Sequence, residues 1–401
     1  MSLAHSPSIV TNGLVFAYDM ANTKKSWKGA PTVNQFSIPT PDGSGYVTFP
    51  VNGTGTFQRI YTGTYGGYTI QPTDIVYKYV LGAAPTGCHY HGNDVTITAG
   101  VTATWSCDFY IDPSVTGYPV TNYLANFEGV VSGSAADPDT SKTGVWKSFT
   151  FSSTAGSTGL CRMLLYPGAC GTQLATGGFI LYKNPQVEFN PPGSAPTPFV
   201  AGTRSNTQSI LDLTNNNTVT VNSLTYSSDG TFSFNGSSNS LTIPFNSGLF
   251  TFNSEQTIII WMKNNSPSSA RRNPYNMAYA GAGTITHEND GAFNYYYGTG
   301  GGDNSPYTNH TSPFSVVVGE TAMICITRNT SQTAWYKNGT LGNTQSNPYG
   351  TVVTGTNYIT LGSGYAGAFG GNLYNVQIYN RALSAVEVQQ NFNALRGRYG
   401  I

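Results

Sequence analysis

Two carboxylates at alternate positions of one strand share a face. At about 5 Å separation such a pair can cut a glycosidic bond, one acid as nucleophile and the other as general acid. HENDGAF at 287–293 offers Glu288 and Asp290 at that spacing. With Asp303 in GGDNS (301–305), the same residues are hard oxygen ligands of the kind calcium takes. GCHYHGND at 87–94 puts His89 and His91 on one strand face, a pair suited to iron or zinc once further ligands join. A third chemistry is sugar stacking on exposed rings beside amides. YTGTYGGY (61–68) and FNYYYGTGGGDNSPY (293–307) offer Tyr65, Tyr68, Tyr295, Tyr297 and Tyr307 for it. In the second stretch Tyr295 and Tyr297 share a face opposite Tyr296. Each feature also has a plainer reading: a polar loop, surface histidines, or tyrosines packed on sheets and between subunits.

The elements that position these groups are strands. Charged residues are 9% of the 401, while Gly (47), Tyr (27) and Pro (22) abound and aromatics reach 13%. That composition builds short strands and tight turns around real cores, not disorder. The net charge is zero and no basic run exceeds a pair, which excludes a nucleic-acid stripe. The longest strongly apolar runs are strand-sized, so no membrane insertion is expected. MSLAHSPSIV has neither the basic start nor the apolar run of a secretory leader. Five scattered cysteines read as small apolar core residues made in a reducing compartment. Low charge and sparse chemistry point to a structural or binding role.

Alternation locates individual strands. In 103–112, Ala103, Trp105, Cys107, Phe109 and Ile111 form one apolar face. QTIIIWMK (256–263) is apolar on both faces, as a central strand is. GTFSFNG (230–236) and LTIPF (241–245) read as two short strands around a turn. KNGT (337–340) supplies an Asn-Gly hairpin turn. NPPGSAPTPFVAGTRS (190–205) is too rich in proline for regular structure and reads as a boundary. The single helix signal is at the end. Ser384 and Glu387 form a capping box, with Leu383 and Val388 as a hydrophobic staple. Val388, Phe392 and Leu395 share a face, and Gly397 is placed to end the helix in the left-handed conformation.

The closing GNLYNVQIYNRALSAVEVQQNFNALRGRYGI resembles the last segment of laminin-G-like (concanavalin-A-like) jelly rolls of bacteriophage virion proteins. SSDGTFSFNGSSNSLTIPF, TIIIWMK and ITRNTSQTAWYKNGTLG are similar to earlier parts of that domain. The opening IVTNGLVFAYDMANTKKSW (9–27) resembles the usual start of the same proteins, where it runs directly into a segment like LDLTNNNTVTVNSLTYSSDG (211–230). The resemblance therefore implies an insertion. Residues 1–28 and 204–401 are expected to form one discontinuous jelly roll, and 29–203 a separate sandwich. WKSFTFSSTAGSTGLCRMLLYP and GGFILYKNPQVEFNPPGSAPTPFVAGTR resemble carbohydrate-binding-module-like jelly rolls of phage tail proteins. The expected fold is all-β: two antiparallel β-sandwich jelly rolls with one short C-terminal helix.

By resemblance the function is that of a virion structural protein on the particle surface, a tail fibre, spike or capsid-surface fibre. It would bind host-surface polysaccharide, contact other virion proteins, and form a homo-oligomer, a trimer first. It would be assembled in the host cytoplasm. A capsid decoration or cement protein is the alternative, and a polysaccharide depolymerase the third. Glucanases of this fold carry a third acid where this chain has Ala292 and Phe293, so no catalysis is expected. Calcium is the ion that laminin-G-like domains imply. Phage fibre tips that bind iron through a His-x-His pair on a threefold axis imply the same for His89 and His91.

Overall fold

The computed structural model describes residues 8–37, 56–80, 90–115, 123–137, 139, 141–165, 177–191, 196–226, 232–266 and 270–401. The chain divides into two compact units, one of 1–30 with 205–401 and one of 31–204.

In the first unit the strands are β1 (Leu14–Asp19), β2 (Thr220–Asn222), β3 (Thr225–Tyr226), β4 (Phe232–Asn235) and β5 (Ser240–Ile243). They continue as β6 (Gln256–Asn264), β7 (Arg272–Ala278), β8 (Gly283–His287), β9 (Ala292–Gly298) and β10 (Tyr307–Ser315). The last are β11 (Thr321–Arg328), β12 (Gln332–Lys337), β13 (Thr340–Ser346), β14 (Ile359–Leu361) and β15 (Gly370–Tyr379), before helix α1 (Ala385–Leu395). An eight-stranded sheet runs β3-β4-β15-β6-β11-β12-β13, with β1 also on β15. A seven-stranded sheet runs β2-β5-β14-β7-β8-β9-β10. Every pairing within the two sheets is antiparallel. This is an all-β jelly-roll sandwich.

The core lies between the sheets, where Ile258, Ile260 and Met262 of β6 meet Tyr275, Ile285 and Phe293 of the opposite sheet. The other face of β6 is covered as well. Ile259 and Trp261 pack on Val388, Phe392 and Leu395 of α1, and Trp261 stacks on Phe392 at 5.7 Å between centroids. The helix therefore supplies the second apolar side that β6 requires. Its capping box is present as read from the sequence. Gly397 does not end it. Backbone angles there stay right-handed, a 3-10 turn carries on over Arg396–Arg398, and Gly400 takes the positive φ. The strands β4 and β5 flank a turn, as read from the sequence. They enter opposite sheets, so the turn between them crosses the sandwich instead of closing a hairpin. Asn338 (φ 50°) and Gly339 (φ 79°) make the expected Asn-Gly turn, which joins β12 to β13.

Residues 10–19 and the closing helix meet at the same sheet. Tyr18 pairs with Val376 across β1 and β15. The Val10 N–H donates to Asn391 Oδ1 (2.7 Å), and Asn391 Nδ2 donates to the Tyr379 hydroxyl (3.0 Å). That hydroxyl lies 2.9 Å from Val10 O and 2.8 Å from Gln377 Oε1. Asn391, Tyr379 and Gln377 are fully buried. The outer edge of β1 is held by the LDLTNNN segment. Asp212 accepts from Ala17 N (3.0 Å), Thr214 Oγ1 (2.6 Å) and Asn217 Nδ2 (2.7 Å), and Asn217 also donates to Val15 O (2.9 Å).

The second unit is also a sandwich. Its five-stranded sheet runs Trp146–Thr154, Thr102–Ile111, Phe179–Phe189, Val76–Val80, Thr56–Ile60. Its four-stranded sheet runs Gly133–Ala136, Tyr123–Gly129, Gly159–Leu165, Tyr90–Ile97. The apolar face read for 103–112 is buried throughout, and Trp105 lies between Phe36, Phe127 and Phe149. The proline-rich tail is short of backbone donors, and two of those it has are met by side chains of PQVE. Thr197 N–H donates to Glu188 Oε2 (2.8 Å) and Val200 N–H to Gln186 Oε1 (2.8 Å).

Asn391→Leu keeps the bulk but leaves the buried Val10 N–H and Tyr379 hydroxyl each one partner short. A loss of about 2 kcal/mol or more in the denaturant unfolding free energy is expected. Gln390→Ala, which removes an exposed bond to Ser8 O, should change it by less than about 0.5 kcal/mol. Equal effects would remove the buried network from this role.

Candidate functional site

The outer face of the seven-stranded sheet is set by alternation. Cross-strand pairs place Asn276, Thr284, Tyr296 and Asn309 in one row and Thr286, Asn294 and Thr311 in the next. Amides and hydroxyls bond along these rows. Thr284 Oγ1 donates to Asn276 Oδ1 (3.0 Å), and Asn309 Nδ2 and Thr311 Oγ1 donate to Asn294 Oδ1 (3.2 and 2.5 Å). Beside them stands an aromatic group. Tyr279 stacks on Tyr296 at 4.7 Å, meets Tyr307 at 4.5 Å, and has Tyr365 at 5.6 Å. Tyr365 is 73% exposed and Tyr307 39%. Arg271 closes the group. Its Nε lies 2.8 Å from Glu288 Oε2, its Nη2 3.3 Å from Glu288 Oε1 and 3.1 Å from the Tyr296 hydroxyl. Burial, then the neighbouring phenols, raises the Tyr279 pKa, and burial with the Glu288 charge raises that of Tyr296. Both phenols therefore stay neutral donors near pH 7.

The loop carrying Tyr365 is fixed from below. Buried Asn273 accepts the Ala366 N–H at 2.5 Å and donates to Ile285 O (3.0 Å) and Thr286 Oγ1 (3.2 Å). Gly364 sits so close to Asn273 and Asn276 that a Cβ there would lie 2.7–2.8 Å from them. A bare glycine lets the loop lie flat on the sheet.

Residues 235–389 match the concanavalin A-like lectin/glucanases superfamily. That stretch of the lectin-like unit contains every residue of the tyrosine group. No curated protein matches the chain. Among solved structures it is similar to the receptor binding domain of botulinum neurotoxin C/D mosaic serotype, with 13% identity and a TM-score of 0.38. The overlap covers 46% of this chain and 48% of that one. The binding domain of Paraclostridial Mosquitocidal Protein 1 is similar at 19% identity and a TM-score of 0.37, over 46% of this chain and 49% of that one. The chain thus spans about half the length of the structures it resembles.

The expected tyrosines divide three ways. Tyr307 joins the exposed group of the lectin-like unit. Tyr295 and Tyr297 do not, because both are fully buried and stacked on each other at 5.2 Å. They clothe Arg328, itself buried. Arg328 Nε donates to the Tyr295 hydroxyl (3.2 Å), its Nη1 to Asn253 O (3.3 Å), and its guanidinium lies 5.8 Å from the Tyr297 centroid. Their ring faces are spent inside, and no sugar can reach them.

In the second unit Tyr65 and Tyr68 face each other across a hairpin, turned by Gly66 (φ 54°) and Gly67 (φ 78°). A Cβ at Gly66 would lie 2.9 Å from Gly144 O and from the Tyr110 ring, so the turn packs hard against the sheet. Both rings are half-buried among Trp146, Tyr110 and Phe179. The Lys183 ammonium stands 4.0 Å from the Tyr68 centroid and that of Lys78 5.9 Å from the Tyr65 centroid, where a sugar would stack. These contacts make the pair a clamp for the hairpin.

Of the expected metal ligands, the described ones, Glu288, Asp290 and Asp303, do not converge. Glu288 already faces a guanidinium, which repels a second cation. Asp290 accepts the Ala292 N–H (3.0 Å) within its own turn, and Asp303 is exposed in the loop before Tyr307. Among the described residues no three His, Cys, Asp or Glu side chains come together. His89 lies outside the described residues, as does the side chain of His91, whose backbone belongs to Tyr90–Ile97.

Two other histidines, which sequence reading passed over, are buried in the sheet bearing the tyrosines. His310 Nδ1 lies 2.8 Å from Thr333 Oγ1, and burial pushes its pKa down to about 4. Burial lowers that of His287 too. A folded pKa below the unfolded value of about 6.5 means the unfolded chain binds the proton first as pH falls. The stability from His310 is complete above pH 6.5 and lost toward pH 4, on the order of 3 kcal/mol in all. His310→Gln should flatten this part of the stability profile relative to wild type in denaturant titrations at pH 7 and 4.5. Parallel profiles would refute it.

Proposed function

We propose that this chain is a non-catalytic glycan-binding protein and that the Tyr279, Tyr296, Tyr307 and Tyr365 surface is its binding site. The observation that carries the reading is the exposed ring group beside a ladder of amides and hydroxyls. Ring faces take the apolar side of a pyranose, while Asn294, Asn309 and Thr311 supply the donors and acceptors that its hydroxyls need. The lectin-like fold supports the reading but does not by itself set a ligand. Hydrolysis is left out because Glu288 is held by Arg271 and Asp290 caps a turn, which leaves no paired acids over the rings.

The wider role we propose is that of a bacteriophage virion surface protein, a fibre, spike or capsid-surface component engaging host polysaccharide as a symmetric oligomer. Its support is the phage-like wording of the opening and closing segments. The two levels are tested separately. Tyr365 stands in an exposed loop, so Tyr365→Ala should leave the melting temperature unchanged and weaken binding to host envelope polysaccharide at least tenfold, as loss of an anchoring aromatic does. Tyr61→Ala, which removes a 64% exposed ring of the second unit, should bind as wild type. Equal binding by Tyr365→Ala would move the site elsewhere. For the wider role, antibody labelling of purified particles should decorate their surface, and unlabelled particles would overturn it.

A further inference from the structure

The charges around the tyrosine surface carry the reading one step further, to the class of sugar. Arg271 is the cation that touches the rings, 5.7 Å from the Tyr296 centroid, and Glu288 engages its fork with both carboxylate oxygens. Fork and carboxylate neutralise each other, so the guanidinium is committed before a ligand arrives. The neighbouring Arg272 is turned away, since it pairs across the strands with His287 and shares that residue's buried face. Along the chain, the turn after β8 carries Asp290 and the loop between β9 and β10 carries Asp303, so neither connection adds a cation. The other side chains described on the face are amides, hydroxyls and phenols.

We propose that the site selects neutral glycans and rejects uronate- or sialate-bearing ones, with Glu288 as the residue that sets this preference. The inference rests on the glycan-binding reading above. A neutral pyranose gives up only hydroxyl hydration, which the amide ladder replaces. An acidic sugar would bring its carboxylate beside that of Glu288 and find the guanidinium already paired. Like charges in apposition are a standard means of excluding the wrong ligand.

The test is an array of neutral hexose and N-acetylhexosamine oligosaccharides printed beside uronate- and sialate-capped ones, read with wild type and Glu288→Gln. Glu288 is partly exposed at the sheet surface, and a thermal melt checks that the variant folds. Wild type should bind only neutral probes. Glu288→Gln frees the Arg271 fork and should gain acidic probes at least tenfold at low salt, with the gain fading as salt rises. Acidic probes bound by wild type as well as neutral ones would overturn the inference and leave the glycan-binding reading standing. Neutral binding by wild type with no gain in Glu288→Gln would remove Glu288 from the role. A wild type that binds no probe would overturn both.

Discussion

A buried guanidinium constrains the lectin-like unit more than any other single group. Burying the Arg328 guanidinium requires that its donors be met inside the sandwich. It reaches from the eight-stranded sheet to Tyr295 and Tyr297 of the seven-stranded sheet and to the carbonyls before β6. Strand alternation transmits that demand. With Tyr295 and Tyr297 committed inward, Tyr296 must project outward, and its ring becomes the base on which Tyr279 stacks. The outer surface is thus a geometric consequence of an interior charge.

The same logic of satisfied donors governs the ends of the chain. Asp212 holds the free edge of β1, which would otherwise present unpaired backbone, and Asn391 and Tyr379 tie the residues before it to the helix. Asp19 is bonded by Tyr399 at 2.7 Å and by Arg398, from the last residues of the chain. The polar residues spread through these segments are structural ligands of the backbone, a use that Asn, Asp and Thr serve without adding much charge.

How much of this could be read from sequence depended on whether the signal was local. The capping box, the staple and the Asn-Gly turn are complete within a few residues, and each is present. Alternation along FNYYYG paired Tyr295 with Tyr297 correctly but could not say which face is inward, because that is decided by Arg328, thirty residues away. The face chosen for sugar was the buried one. Tyr279 and Tyr365 went unseen because no periodicity links MAYAGAG to GSGYAGA; the sandwich brings them together. Glycine at 397 looked like a helix stop, yet continued packing of Tyr399 on Trp261 rewards one more turn, and the left-handed residue comes later. In the second unit the Gly-punctuated tyrosines were visible, but their hairpin pairing was not read, and the lysines that cap their rings come from other strands.

The entry and exit of residues 31–204 lie side by side in the lectin-like unit. Lys28 N–H donates to Ser209 O (2.8 Å), and Trp27 bridges to Ile210. To that unit a whole sandwich is one long surface loop, and loop-closure entropy grows by only about 0.6 kcal/mol for each doubling of loop length. The joint asks only that its two chain segments stay side by side. Any module whose own two ends lie equally close, or a tight turn, could stand between these segments with the sheet and the tyrosines kept.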